Sequence, residues 1–195
     1  IEPYLDKIVE RVVRNGYLEA GLEPIISNTY VIVVPTPLDE NKNPNINYVI
    51  QATKTLIPIF KPGDLFIIES TCPVGTTEKI TELIFKNRQE LENEIYIAYC
   101  PERVLPGNVM YELVNNDRVI GGINTESNTE AFNFYSKFVK GNLHLTNSRT
   151  AEMCKLVENS SRDVQIALAN ELSLICDKAN IDVWELINLA NKHPR

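Results

Sequence analysis

Apolar residues follow two patterns along the first 147 residues. Short continuous apolar runs are typical of strands covered on both faces, and apolar residues three or four apart are typical of helices. Strands are predicted at 30–34, 65–69, 95–99, 118–120 and 143–145. Helices are predicted at 5–13, 47–59, 76–86 and 130–138. Because strands and helices alternate, we expect an α/β fold with part of a Rossmann-like parallel sheet and helices on both faces.

A different pattern begins at Ser148. From there to Ala179 the chain contains no Pro and no Gly, and helical spacing continues. A helix of this length exceeds what one small domain needs, so it connects two domains or pairs with a copy of itself. A further helix is predicted at 183–191. We therefore divide the chain into a partial Rossmann-like domain, 1–147, and a central helical region, 148–195.

Composition removes several classes of function. The net charge is -7 and the basic residues are scattered, which disfavours a nucleic-acid partner. No run of 18 apolar residues exists, so no membrane span is expected. The four cysteines match neither a zinc pattern nor a redox pair, and no metal site is expected. Reduced thiols near the core would suit a cytoplasmic protein.

In parallel sheets, ligands bind outside the carboxyl ends of the strands, here at loops 35–46, 70–76 and 100–107. The first loop opens with VPTP (34–37), a rigid turn that would present the Thr36 hydroxyl. The alternative is that the turn only ends a strand.

The second loop, ESTCPVGTT (69–77), places hydroxyls and a Gly before a helix. Free N–H groups at that helix start would suit a phosphate or another polar ligand. It lacks the Lys of a Walker loop, and capping of the helix by Thr76 is the simpler interpretation. Cys72 has no His nearby in sequence to activate it as a nucleophile.

The third loop, CPERVLPG (100–107), holds Glu102 beside Arg103 between prolines. A stiff loop could fix a substrate because its backbone loses little entropy on binding. The alternative is a surface ion pair of little energetic value.

On the long helix, Lys155 and Asn159 are four residues apart and share a face, with Arg162 further along. An ammonium beside an amide can stabilise an oxyanion, although a solvated polar face is the commoner meaning of such spacing. The basic end, 192–195, could hold a phosphate or be an exposed loop.

Taken together and in order, six segments resemble the UDP-glucose/GDP-mannose dehydrogenase family. They are IEPYLD (1–6), VPTP (34–37), ESTCPVGTT (69–77), YCPERVLPG (99–107), AEMCKLVEN (151–159) and NKHPR (191–195). Within the family, CPERVLPG and NKHPR most resemble the branch that oxidises UDP-N-acetylmannosamine. Branches that act on UDP-N-acetylglucosamine or UDP-glucose stay open.

The resemblance implies that NAD takes two hydrides from the C6 alcohol of a UDP-sugar. The product is a carboxylate, formed through a cysteine thioester and used for surface polysaccharides such as capsule or O-antigen. Lys155, Asn159 and Glu102 would be catalytic, with Lys155 and Asn159 also contacting substrate. NAD would be contacted by Thr36 and Thr71. Substrate would also be held by Arg103, Val104, Arg162, His193 and Arg195. A homodimer through helix 148–179 is implied as well.

Two features of the family are not found in the sequence. The resemblance implies a Gly-rich NAD turn before these residues and a nucleophilic Cys shortly after NKHPR, so none of the four cysteines is expected to be catalytic. We expect the 195 residues to be a fragment that is inactive alone. Two further hypotheses remain: a single-hydride dehydrogenase of the 6-phosphogluconate or hydroxyacid type, and a non-catalytic dimerising nucleotide-binding domain.

Overall fold

The computed structural model describes residues 2–193. The strands of this part of the chain are β1 (Thr29–Ile32), β2 (Leu65–Ile68), β3 (Tyr96–Tyr99), β4 (Arg118–Gly122) and β5 (Leu143–Asn147). The helices are α1 (Leu5–Arg14), α2 (Asn47–Leu56), α3 (Thr76–Asn87), α4 (Val109–Asn115), α5 (Thr125–Tyr135), α6 (Ser148–Ala179) and α7 (Val183–Ala190). Single 3₁₀ turns follow α2 (Ile57–Ile59) and α3 (Gln89–Leu91). The α/β fold expected from the sequence is confirmed.

The five strands within residues 2–193 form one sheet in the order β1-β2-β3-β4-β5. Strands β1, β2 and β3 are parallel, and so are β4 and β5. The expectation of a wholly parallel sheet is wrong at one junction, where β3 and β4 pair antiparallel through Ala98 and Tyr99. A parallel neighbour requires a crossover that carries the chain back across the sheet. The segment after Tyr99 makes no such crossover and enters β4 from the carboxyl end of β3.

Strand β2 explains why the sheet has two cores. All four of its residues are buried, and they alternate between two clusters. Phe66 and Ile68 pack with residues of α2 and α3, whereas Leu65 and Ile67 pack with Ala131 and Tyr135 of α5. Burial on both faces is the reason that the sequence of β2 is continuously apolar.

Two helices differ from the sequence prediction. Helix α4 was not predicted, because its seven residues give too few turns for a clear apolar period. Helix α5 begins five residues before the predicted start and ends at Tyr135 rather than at 138. Its start is set by Asn124, whose side-chain oxygen accepts a hydrogen bond from the Ser127 N–H at 2.8 Å.

The chain forms two compact units, Ile1–Lys155 and Leu156–Arg195. Helix α6 begins in the first and continues into the second. Within the second unit, Asn180 at φ 55° follows the end of α6. The Asp182 carboxylate then caps α7 by accepting from the N–H groups of Trp184 and Glu185. The division proposed from the sequence falls at 147/148, eight residues earlier.

The junction between β4 and α6 permits a stability prediction. A Cβ at Gly121 would stand 2.5 Å from the Asn147 carbonyl oxygen and 2.6 Å from the Ala151 Cβ. Because neither atom can move without its backbone, we expect Gly121→Ala to destabilise the full-length gene product by about 1–3 kcal/mol. Gly21→Ala is the control, since its nearest neighbour would lie at 3.6 Å. Equal denaturation midpoints for the two variants in urea would contradict this expectation.

Candidate functional site at the carboxyl edge of the sheet

Three of the segments singled out in the sequence lie at one edge of the sheet. Because β1, β2 and β3 are parallel, the segments that follow their last residues, Ile32, Ile68 and Tyr99, emerge on the same side. These segments are VPTP, ESTCPVGTT and CPERVLPG. The fold therefore brings together the loops that the sequence indicated separately.

Ser70 joins the first two of these loops. Its hydroxyl accepts a hydrogen bond from the Val34 N–H at 2.8 Å and donates to the Val34 carbonyl at 2.9 Å. Ser70 is buried, so this exchange takes place away from water, where hydrogen bonds are least easily replaced. The turn containing Thr36 is therefore held against the loop containing Thr71. Both threonines are half-buried.

The start of α3 is occupied by the protein's own carboxylate. Glu152, from the first turns of α6, accepts from the Gly75 N–H at 2.6 Å and from the Thr77 N–H at 2.8 Å. Thr76 does not cap the helix, since its hydroxyl donates to the Pro73 carbonyl at 2.7 Å. Two expectations for this loop are therefore wrong. Thr76 is not the cap, and the N–H groups of Gly75 and Thr77 are not free for a phosphate.

Two of the cysteines near this edge are in environments that keep the thiol protonated. Burial, with the nearby Glu152 charge as the second cause, raises the pKa of Cys72 to about 12. Burial also raises the pKa of Cys100 to about 11. Only a thiolate is an effective nucleophile. These environments are the opposite of those that activate a catalytic cysteine.

A largely buried polar cluster lies beside Cys100, the first residue of the third loop. Arg118 pairs with Glu69 at 3.4 Å, and the Tyr135 hydroxyl donates to the same carboxylate at 2.6 Å. The Arg118 guanidinium also lies over the Tyr135 ring, 4.8 Å from its centroid. Sequence reasoning missed this cluster. The only signal in the sequence was that Glu69 ends one apolar run and Arg118 begins another.

Carboxylates also bind the backbone of the third loop and of Val109, the first residue of α4. Glu102 accepts a short hydrogen bond from the Val104 N–H. Glu112 accepts from the Leu105 N–H at 2.8 Å, and Glu2 accepts from the N–H groups of Gly107 and Val109 at 2.7 and 2.6 Å. These amides hold the loop in shape and are not directed at a ligand.

The guanidinium of the same loop faces the start of β4. Arg103 donates to the Asp117 carbonyl at 3.1 Å. Asp117 is itself held by its neighbours, because hydrogen bonds from His144 and Asn142 lower the pKa of its carboxyl to about 2. Glu102, Arg103 and Val104 are all half-buried, so each keeps some surface for a ligand.

Lys155, Asn159 and Arg162 lie on α6, whereas His193 follows the end of α7. Lys155 is half-buried in the first unit. Asn159, Arg162 and His193 are exposed in the second unit, and Arg195 lies outside the described residues. Among residues 2–193, no cluster of His, Cys, Asp or Glu is arranged to hold a metal ion. In the same range, no helix is long and apolar enough to cross a bilayer.

Comparison with known proteins identifies the family. Residues 1–139 match the NAD binding domain of the UDP-glucose/GDP-mannose dehydrogenase family, and residues 149–195 match its central domain. The chain belongs to the UDP-glucose/GDP-mannose dehydrogenase family. This confirms the resemblance found in the sequence.

Relatives in this dehydrogenase family match the whole chain. It is 51% identical to a UDP-N-acetyl-D-mannosamine dehydrogenase of Yersinia pestis, over 100% of this chain and 48% of that protein. It is 48% identical, with the same coverage, to an NDP-N-acetyl-D-galactosaminuronic acid dehydrogenase of Ralstonia solanacearum. The chain thus spans about half the length of the curated relatives that it matches.

Solved structures of family members agree with the fold. A UDP-D-ManNAc dehydrogenase from Pyrococcus horikoshii is 43% identical with a TM-score of 0.93, over 100% of this chain and 47% of that chain. A UDP-N-acetyl-mannosamine dehydrogenase from Staphylococcus aureus is 41% identical with a TM-score of 0.89, over 100% and 48%.

The pKa values of the buried thiols permit a labelling prediction. At pH 8, about one Cys72 side chain in 10,000 and one Cys100 in 1,000 would be a thiolate. We therefore expect iodoacetamide to leave both unmodified in the native full-length gene product, as read by peptide mass spectrometry. In urea both should be labelled fully. Native labelling of Cys72 at the denatured rate would show that its environment is wrongly assigned.

Proposed function

We propose that the protein containing these 195 residues is an NAD-dependent dehydrogenase that oxidises the C6 alcohol of UDP-N-acetylmannosamine to a carboxylate, for surface polysaccharide synthesis. The observation that carries the proposal is the 51% identity, over the whole chain, to a relative named for that substrate. The meeting of three loops at the carboxyl edge supports a ligand site there. The solved structures at 43% and 41% identity carry the same substrate name.

A second substrate has specific support. A relative at 48% identity is named for NDP-N-acetyl-D-galactosaminuronic acid. A solved structure from Methanosarcina mazei with the same name is only 28% identical, with a TM-score of 0.78. The mannosamine sugar is therefore the first candidate, and the galactosamine derivative is the second.

The side chains at the carboxyl edge fit the neutral part of a nicotinamide cofactor. Thr36 and Thr71 offer hydroxyls, which suit ribose or the nicotinamide amide. The start of α3 already holds the Glu152 carboxylate, so a pyrophosphate there would meet a like charge. We infer that the phosphates lie elsewhere. When bound, NAD would accept the two hydrides.

The substrate is held, in this proposal, by basic side chains and by one stiff loop. The guanidinium groups of Arg103, Arg162 and Arg195 suit the diphosphate, because they bind phosphate with two parallel hydrogen bonds. The His193 imidazole is proposed to hydrogen-bond the same substrate. Val104 contributes contacts from the same loop. Glu102 orients the substrate or a water molecule, and its bond to the Val104 N–H keeps it in place until substrate binds.

Lys155 and Asn159 are the proposed groups at the reacting carbon. The Lys155 ammonium stabilises the developing oxyanion and exchanges its proton, while Asn159 polarises the same oxygen. The thiol that carries the acyl group is none of the four cysteines in this sequence. This agrees with the raised pKa values of Cys72 and Cys100.

The second partner proposed is another copy of the chain. Helix α6 exposes a stripe of apolar residues at helical spacing, which includes Val164, Leu168 and Ile175 at 67%, 57% and 57% exposure. Exposed apolar stripes on a long helix are covered in stable proteins, and we propose that the homodimer covers this one.

The number of NADH molecules formed per sugar separates this proposal from the single-hydride alternative. Oxidation of an alcohol to a carboxylate removes four electrons, so we expect two NADH for each UDP-N-acetylmannosamine consumed by the full-length gene product. Absorbance at 340 nm after complete conversion measures the ratio. A ratio of one would favour the hydroxyacid type of reaction, and no NADH from any UDP-sugar would favour the non-catalytic domain.

Replacing Lys155 tests its role directly. Because the ammonium acts mainly in the transition state, Lys155→Ala should lower kcat by about 100-fold or more, while the Kd of NAD changes by less than about threefold. Lys79→Ala, which removes an exposed ammonium from α3, is the control. Turnover of the Lys155 variant at the wild-type rate would refute the assigned role.

A further inference from the structure

Glu152 is a fully buried carboxylate with a complete set of donors from a distant part of the chain. It accepts from the Gly75 N–H, the Thr77 N–H and the Thr77 hydroxyl at 2.6, 2.8 and 2.7 Å. The side chain is 0% exposed, and its partners lie 75 and 77 residues earlier in the chain. A buried charge is tolerated only when it is bonded in this way, and the positive end of the α3 dipole adds to the stabilisation.

A cap alone would not require this arrangement. A Ser, Asp or Asn at position 75 could accept from the Thr77 N–H locally, without burying a charge from another helix. The chain instead has Gly75 there, at φ 92°, which supplies no side-chain bond. The cap therefore comes from the first turns of α6, and their position is fixed relative to α3.

Lys155 is the proposed functional residue nearest to Glu152 along α6, one helical turn away. Lys155 follows Glu152 by three residues in α6, so the two share a face. The amides that Glu152 holds belong to the segment that follows Thr71. We propose that Glu152 is a positioning residue, which sets the Lys155 ammonium relative to loop 69–75. This inference rests on the proposed function of Lys155.

The structure supplies a matched control for this link. Arg149 and Glu78 join the same two helices through a 2.7 Å ion pair, but their side chains are 59% and 48% exposed. An exposed pair of this kind contributes little to stability or position. If any contact between α6 and α3 were sufficient, both links would matter equally. Because Glu152 is buried, we expect its contact with α3 to affect turnover and the exposed Arg149–Glu78 pair to have no effect.

The first experiment measures Glu152→Gln in the full-length gene product with UDP-N-acetylmannosamine and NAD. A glutamine can still accept from Thr77, but its NH₂ group would face the Gly75 N–H. We expect kcat to fall between about tenfold and 100-fold, as small misplacements of a catalytic group do, while the KM of the sugar changes by less than about threefold. Glu78→Gln should keep the wild-type kcat. A wild-type kcat in Glu152→Gln would overturn the inference.

A second experiment separates positioning from general damage. In single-turnover measurements, Glu152→Gln is combined with Lys155→Ala. If Glu152 acts through Lys155, the double variant should react at the rate of Lys155→Ala, because the group being positioned is already gone. An equal fold-loss in both backgrounds would mean that Glu152 only stabilises the fold, and would overturn the proposal.

Two further results keep the test decisive. If Glu152→Gln does not fold, Thr77→Val removes one of its hydrogen bonds at nearly constant shape, and the same comparison with Lys155→Ala applies. Wild-type turnover by Lys155→Ala would refute the proposed role of Lys155, and this inference with it. Loss of turnover in Lys155→Ala together with full turnover in Glu152→Gln would refute the inference alone.

Discussion

The fold depends on burying β2 from both sides. Its side chains alternate between a core under α2 and α3 and a core under α5. A shift of one residue would exchange the two sets, and the need to repack both cores opposes such a change of register with β1 and β3. Since all three strands run the same way, their carboxyl ends must meet at one edge. The candidate site is a consequence of that constraint.

Much of this architecture could be predicted from the sequence, because strands buried on both faces consist of unbroken runs of apolar residues. The long helix could be predicted for a similar reason, since nothing between Ser148 and Ala179 interrupts its spacing. The antiparallel pairing of β4 could not be predicted, because a run of apolar residues does not show in which direction the strand runs relative to its neighbours. The start of α5 was predicted too late in the sequence, because its first turn is polar and its cap at Asn124 resembles ordinary loop sequence.

The candidate site was predictable to a smaller extent. Loops at strand ends can be found by their place in the pattern, which is how 34–37, 69–77 and 100–107 were found. Hydrogen bonds between residues far apart in the chain produce no repeating pattern in the sequence. The roles of Glu152, Ser70 and Arg118 could therefore not be predicted from residue spacing. The Glu152 carboxylate lies at the start of α3, where an anionic ligand had seemed possible. The groups of these loops that remain for a ligand include the hydroxyls of Thr36 and Thr71 and the guanidinium of Arg103, all on half-buried residues.

Ser70 shows how a side chain can replace a length of strand. Its hydroxyl exchanges two hydrogen bonds with the peptide groups of Val34, two residues beyond the end of β1. A longer pair of strands could have secured the same turn, with a ladder of backbone hydrogen bonds in place of one hydroxyl. Because a single side chain carries out this task, the position of Thr36 relative to Thr71 depends on residue 70 and not on the length of the sheet. Attempts to change the ligand preference of this edge would therefore do well to leave position 70 unchanged.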